Sequence, residues 1–140
     1  MKNGDLFFTH SNSALSRAIR FLTGSKVSHV GVILELEGIN FCVEMLPSGC
    51  TMTPKEVRFK RSTPFLATPH SVPVDFKAKV LKDVGRVKYD FWGLITAPFF
   101  RTKGQKKICS EWVAQLYDLQ FPGLSREIEH VDLFNVYFTK

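Results

Sequence analysis

The fold is decided by one stretch of the sequence, the segment 29–45, which reads HVGVILELEGINFCVEM. Two runs in which apolar residues recur at every second position lie on either side of the dipeptide Glu37-Gly38. Such alternation is typical of a half-buried β-strand, and a glycine-containing pair between two such runs is typical of a tight hairpin turn. The segment therefore predicts two antiparallel strands, with His29 at the start of the first strand.

The length of this turn determines which residues face each other across the hairpin. A two-residue turn pairs Leu36 with Ile39. In that register Glu44 lies opposite Gly31 and diagonal to His29, on the same face of the sheet. Diagonal neighbours are about 7–8 Å apart, so a glutamate can reach the imidazole and hold it in one tautomer. A solvated carboxylate on a strand face is an equally good interpretation of Glu44.

The remaining periodic segments predict one short strand and three helices around this hairpin. The strand covers 6–8, and the helices begin after Ser11-Asn12-Ser13, after Asp75 and at about Cys109. The segment 47–73 is rich in proline and predicts irregular chain, with short strands around 57–59 and 71–74. Together these elements predict a single α+β domain over residues 1–140, with helices packed on one side of a small antiparallel sheet.

The composition of the chain limits which binding partners and which cellular compartment we expect. The formal net charge of +6 favours anionic partners such as acidic cell-wall polymers or lipid headgroups. Basic and aromatic residues do not alternate regularly in any stretch, so we expect no nucleic acid partner. No apolar run approaches the ~20 residues that span a bilayer, and the first residues do not resemble a signal peptide. We therefore expect a soluble, cytoplasmic protein without a transmembrane segment.

The cysteine count excludes a closed disulfide framework, because three is an odd number. Cys42 and Cys50 could pair with each other, although nothing else in the sequence indicates an oxidising compartment. A metal site that combines the three cysteines with His29 is disfavoured, because no Cys-x-x-Cys spacing is present.

Cys109 carries the clearest chemical signal. It follows Lys106 and Lys107 at the predicted start of a helix. A helix N-terminus and nearby cations both favour the thiolate, which is the nucleophilic form of cysteine. Backbone N–H groups at the same place can stabilise an oxyanion. Taken alone, Cys109 is better interpreted as a small buried apolar residue; His29 and Glu44 change that interpretation.

Five motifs follow one another along the chain. They are GDLFF (4–8), GSKVSHVGV (24–32), VEMLPSG (43–49), YDFWGL (89–94) and CSEWVA (109–114). In this order they resemble the circularly permuted branch of the NlpC-type papain-like superfamily, especially its YiiX-like proteins. The lecithin–retinol acyltransferase-like enzymes are more distant members of that branch. In this branch the histidine strand precedes the cysteine helix, which is the reverse of the order in papain.

The resemblance implies a papain-like fold with a catalytic triad. In that triad Cys109 is the nucleophile, His29 moves the proton and Glu44 orients His29. The family attacks amide or ester carbonyls through a thioester, so no metal and no organic cofactor are expected. We therefore expect a cysteine peptidase or amidase-type hydrolase that cleaves an amide bond in a peptide, such as a cell-wall peptide. The aromatic stretch 91–100 and the basic segment 101–107 should border its cleft.

Two other functions fit the same sequence. The same triad could serve a lipid or ester acylhydrolase, or an acyltransferase. A non-catalytic binding module could keep the fold and use its basic, aromatic loops. The second alternative is weaker, because an idle site has no reason to retain a histidine, a glutamate and a cysteine together.

Overall fold

A five-stranded sheet and four helices make up the part of the chain that the computed structural model describes, which is residues 1–23, 26–88 and 109–117. In chain order the elements are β1 (Leu6–Thr9), α1 (Ala14–Thr23), β2 (His29–Leu36), β3 (Ile39–Leu46), β4 (Gly49–Pro54), α2 (Lys55–Arg58), β5 (Phe65–Ala67), α3 (Phe76–Asp83) and α4 (Cys109–Leu116). None of these helices has the length and apolar character needed to cross a membrane. The aromatic and basic segments expected to border the cleft, and the YDFWGL motif, lie outside the described residues.

The five strands form one antiparallel sheet in the order β4-β3-β2-β1-β5. The predicted α+β class with a small antiparallel sheet is confirmed. The predicted hairpin forms the centre of the sheet, with Leu36 paired to Ile39. Glu37 and Gly38 both have positive φ, 50° and 79°. This conformation is that of the two-residue turn whose twist matches the flanking strands.

The segment 47–73 is more regular than its prolines predict. It contains the strands β4 and β5, and the residues around 57 form the helix α2 where a strand was expected. The strand expected at 71–74 does not form. β4 forms because the chain turns back directly after β3 and its backbone continues the ladder. Pro54 is compatible with β4 because it is the last residue of an edge strand, where a missing N–H donor is tolerated.

The two faces of the sheet bury different clusters. The larger cluster joins one face to α3 and α4. The smaller cluster lies on the other face and consists of Phe7, Ile33 and Cys42, with Phe59 packed against it. The prediction that the helices lie on one side is therefore wrong for α2, which Phe59 directly follows. These apolar side chains need cover on their own face, and the α2 region supplies it.

Two hydrogen bonds hold α4 in its place. Trp112 is fully buried, and its Nε1 donates to Oδ2 of Asp83 in α3 at 2.9 Å. The hydroxyl of Tyr117 donates to the carbonyl oxygen of Gly4, just before β1. These bonds, together with packing against β2, position Cys109, the first described residue of the helix.

Candidate active site

His29 is held by Glu44, as the hairpin register predicts. Gly31 pairs with Glu44 across β2 and β3, so His29, two residues before Gly31, shares their face of the sheet. The Nε2 atom of His29 lies 2.7 Å from Oε2 of Glu44. Because 1% of the Glu44 side chain is exposed, the interpretation of this residue as a solvated carboxylate is wrong.

Cys109 contacts the same histidine. Its side chain forms a hydrogen bond with that of His29, and Cys109 itself is buried. Since Nε2 of His29 faces Glu44, Nδ1 is the ring nitrogen left for the sulfur. Cys109 belongs to the larger cluster, which joins one face of the sheet to α3 and α4, whereas Glu44 lies on the other face. His29 can join the two because it stands at the end of its strand, where the sheet no longer separates them.

Arg58 binds the other side of Glu44. Its Nε donates to Oε1 of the carboxylate, and its Nη2 donates to Oε2 at 3.0 Å. The centre of the guanidinium group lies 5.9 Å from the ring centroid of Phe7 and 5.7 Å from that of Phe59. The carboxylate is therefore bonded to two cationic side chains at once.

The contacts of this group change its pKa values. Burial alone would lower the pKa of His29, but the hydrogen bonds and charges of Cys109 and Glu44 raise it to about 9. Burial alone would raise the pKa of Glu44, but hydrogen bonds from His29 and Arg58 hold it below its usual value. At neutral pH the imidazole is therefore protonated and the carboxylate is ionised.

These groups can perform nucleophilic chemistry at a carbonyl carbon. A protonated imidazole beside a thiol favours the thiolate, and the same imidazolium can give its proton to a leaving group. The side chain of His29 is 17% exposed, so solvent can reach one edge of the ring. All three residues singled out from the sequence therefore meet in one place.

The other two cysteines do not belong to this group. Cys50 pairs with Met45, whose side chain points to the face opposite that of Cys42, and neither cysteine is part of a disulfide. The two therefore do not form the disulfide that the sequence allowed. Burial, together with the nearby charge of Glu44, raises the pKa of the Cys42 thiol to about 12.

A metal site is not formed in the described part of the chain. No group of three or more His, Cys, Asp or Glu side chains there is arranged to hold a metal ion.

The start of β2 is also tied to α1. The hydroxyl groups of Ser16 and Ser28 lie 2.5 Å apart and are buried. The backbone N–H of Ser28 donates to the carbonyl oxygen of Thr9. The residue that precedes His29 is therefore fixed on two sides.

Arg58 is the member of this group that the sequence did not reveal. It belongs to a basic run at 55–61, and no local pattern distinguishes it from Lys55 or Arg61. Its partner Glu44 lies 14 positions earlier in the chain. The one available signal was a charged residue in the segment after the hairpin. That signal did not indicate that the side chain points towards Glu44.

Comparisons with known proteins bear on the fold. No family model matches the chain, and no curated protein matches its sequence. Among solved structures, the crystal structure of the metalloprotein yiiX from Escherichia coli O157:H7 is similar, with a TM-score of 0.66 and 23% sequence identity. The match covers 84% of this chain and 64% of that one, so this chain spans less than two thirds of the length of that protein. The chain has a YiiX-like α+β fold.

Proposed function

We propose that this chain is a cysteine hydrolase of the circularly permuted, NlpC-type papain-like class, with Cys109, His29 and Glu44 as its triad. One observation supports this above the others: His29 is hydrogen-bonded to Cys109 and to Glu44 at the same time. Burying a charged carboxylate costs free energy unless it is paired. A binding module has no need of such a carboxylate aimed at a histidine.

In the first half of the proposed reaction, the thiolate of Cys109 attacks the carbonyl carbon of the substrate. The π electrons of the carbonyl move to its oxygen, which gives a tetrahedral intermediate. The intermediate collapses, the C–N bond breaks, and the leaving amine takes the proton of the His29 imidazolium. Cys109 is left as a thioester of the acyl part of the substrate.

In the second half, water replaces the amine. His29, which is now neutral, takes a proton from the water molecule while the oxygen of that water attacks the carbonyl carbon of the thioester. Collapse breaks the C–S bond, releases the carboxylic acid and restores the thiolate. Glu44 keeps its hydrogen bond to Nε2 throughout, which holds Nδ1 towards the sulfur and stabilises the imidazolium.

The proposed target is an amide bond in a peptide, on the strength of the resemblance to NlpC-type enzymes. The net charge of +6 suits an acidic peptide, such as a cell-wall peptide, because opposite charge favours encounter. Hydrolysis of a lipid ester would use the same thioester with a different substrate. Transfer of an acyl group would use it with an acceptor other than water.

The similar E. coli protein is described as a metalloprotein. The residues of this chain do not fit a metal at the proposed site. Both oxygens of Glu44 are bonded to Arg58, and one of them also to His29. A guanidinium group beside the carboxylate opposes the approach of a metal cation. The proposed reaction therefore contains no step through a metal.

Labelling with a small electrophile tests the proposed nucleophile. Brief exposure to iodoacetamide at neutral pH, followed by peptide mass spectrometry, should modify Cys109 well before Cys42 or Cys50. The replacement His29→Ala should slow this labelling, whereas His70→Ala, at an exposed histidine, should not. Equal labelling of the three cysteines, or an unchanged rate in His29→Ala, would contradict a His29-activated thiolate.

Substrate choice requires a second experiment. Purified cell-wall peptides and anionic phospholipid vesicles are incubated separately with the wild type and with Cys109→Ala. Cleavage of peptide that is lost in the variant is the expected result. Turnover of lipid alone, also lost in the variant, would replace the peptidase by an acylhydrolase. An unreactive Cys109 with no turnover would support the binding module.

A further inference from the structure

Glu44 contacts two cationic side chains, whereas a catalytic triad requires only the histidine. Its carboxylate is buried and faces His29 from β2 and Arg58 from α2. Among the residues that the structure describes, the other titratable groups near it are Cys42 on its own strand, Lys55 and Glu56 of α2, which act on Cys42, and, through His29, Cys109 of α4. In the proposed resting state the thiolate and the carboxylate carry two negative charges, which the imidazolium and the guanidinium balance.

We infer that Arg58 is a positioning residue of the site, which acts through Glu44 to keep the Cys109–His29 pair in its charged, reactive form at neutral pH. This inference rests on the proposed function, because it takes Cys109 as the nucleophile. Arg58 does not touch the reacting atoms in this scheme.

Charge balance gives the physical reason. Without the guanidinium, two anions would share one imidazolium in a buried place, where unbalanced charge is costly. The site would then take up a proton at a higher pH than before. Because the thiolate is one of the two anions, the pH at which Cys109 becomes nucleophilic should rise.

Geometry gives the second reason. The guanidinium binds both oxygens of Glu44, which fixes the plane of the carboxylate as well as its charge. Its centre lies within 6 Å of the ring centroids of Phe7 and Phe59, and those two rings meet edge to face. Contact with aromatic rings favours a cation at this place. The remaining direction open to Oε2 is towards His29.

The test measures how the rate of iodoacetamide reaction at Cys109 depends on pH, so it needs no substrate. The variants are Arg58→Met, which removes the charge, and Arg58→Lys, which keeps it. Arg61→Met is the matched control, since Arg61 is an exposed residue of the same basic run. Thermal unfolding of each variant reports its stability separately.

The expected result is a midpoint about one pH unit higher in Arg58→Met than in the wild type. Arg58→Lys should restore most of that shift, and Arg61→Met should show none. A structural role alone would lower the melting temperature in both Arg58 variants and leave the midpoint in place, which would overturn the inference. A similar shift in Arg58→Lys and Arg58→Met would also overturn it.

A double variant tests whether Arg58 acts through Glu44. It removes both members of the buried ion pair, so no unpaired charge is left to prevent folding. The midpoint of Glu44→Gln/Arg58→Met should lie close to that of Glu44→Gln. If Arg58→Met shifts the midpoint as much in the Glu44→Gln background as in the wild type, Arg58 acts independently and the inference is wrong. A wild-type midpoint of about 8.5, the ordinary thiol value, would instead contradict the proposed thiol mechanism as well.

Discussion

The aromatic ring of Phe7 lies across Gly31, in the space that a side chain on Gly31 would occupy. The two residues pair across β1 and β2, and on the other side Gly31 pairs with Glu44. The absent side chain therefore lets Phe7 reach the middle of the sheet, where the guanidinium of Arg58 lies near its ring. One glycine thus makes room for the residues that surround the buried carboxylate.

Replacing Gly31 by alanine should destabilise the protein. The new Cβ would overlap Phe7 and lie 2.8 Å from the carbonyl oxygen of Val43, which is backbone and cannot move freely. Overpacking of this kind costs about 1–3 kcal/mol, measurable by urea unfolding. Gly38→Asn is the control, because no atom lies near a Cβ at Gly38 and asparagine tolerates its positive φ. Equal losses in the two variants would contradict the steric explanation.

The imidazole of His29 should stay charged well above neutral pH. Its raised pKa, about 9 against the ordinary histidine value of 6.5, means that protonation is complete at neutral pH and is lost as the pH rises through about 9. The proposed hydrolysis should therefore fall through the same range, since its leaving amine needs that proton. Alkylation of Cys109 should not fall there, because it requires the thiolate alone.

An NMR titration of the His29 ring measures this value directly. Glu44→Gln should lower the midpoint, because it removes a charge and a strong acceptor that favour the imidazolium. Glu56→Gln, at an exposed glutamate in α2, is the matched control and should leave it in place. A wild-type midpoint at or below the ordinary histidine value would contradict the charged pair.

The hydroxyl pair of Ser16 and Ser28 should contribute to stability as a unit. Ser16→Ala removes this partner from the buried Ser28 hydroxyl, which costs about 1–3 kcal/mol. Ser28→Ala should cost less, because the Ser16 hydroxyl keeps its hydrogen bond from the backbone N–H of Ser11. The double variant Ser16→Ala/Ser28→Ala should lose less than the sum of the two single variants, because neither hydroxyl is then left behind. Urea unfolding gives the three values. Ser71→Ala, at an exposed serine outside this cluster, should change stability little, and strictly additive losses would contradict coupling of the pair.

Local patterns predicted the centre of the fold and two members of the candidate site. The alternation of 29–45 and its glycine-containing turn predicted the pairing of β2 with β3, and hence the contact between His29 and Glu44. The interpretation of 47–73 failed because it relied on proline content. β4 depends on a partner strand that is already in place, which composition does not report.

The sequence by itself therefore determined that His29 and Glu44 share one face of a hairpin, because a two-residue turn and a period of two leave one register. It also indicated Cys109, through its motif and the predicted helix. Only the tertiary structure decided that Arg58 binds Glu44 and that Cys109 reaches His29 across the end of the sheet. Those contacts depend on how α2 and α4 pack on opposite faces, and the packing of a face is set by shape and burial over the whole fold, which no local pattern encodes.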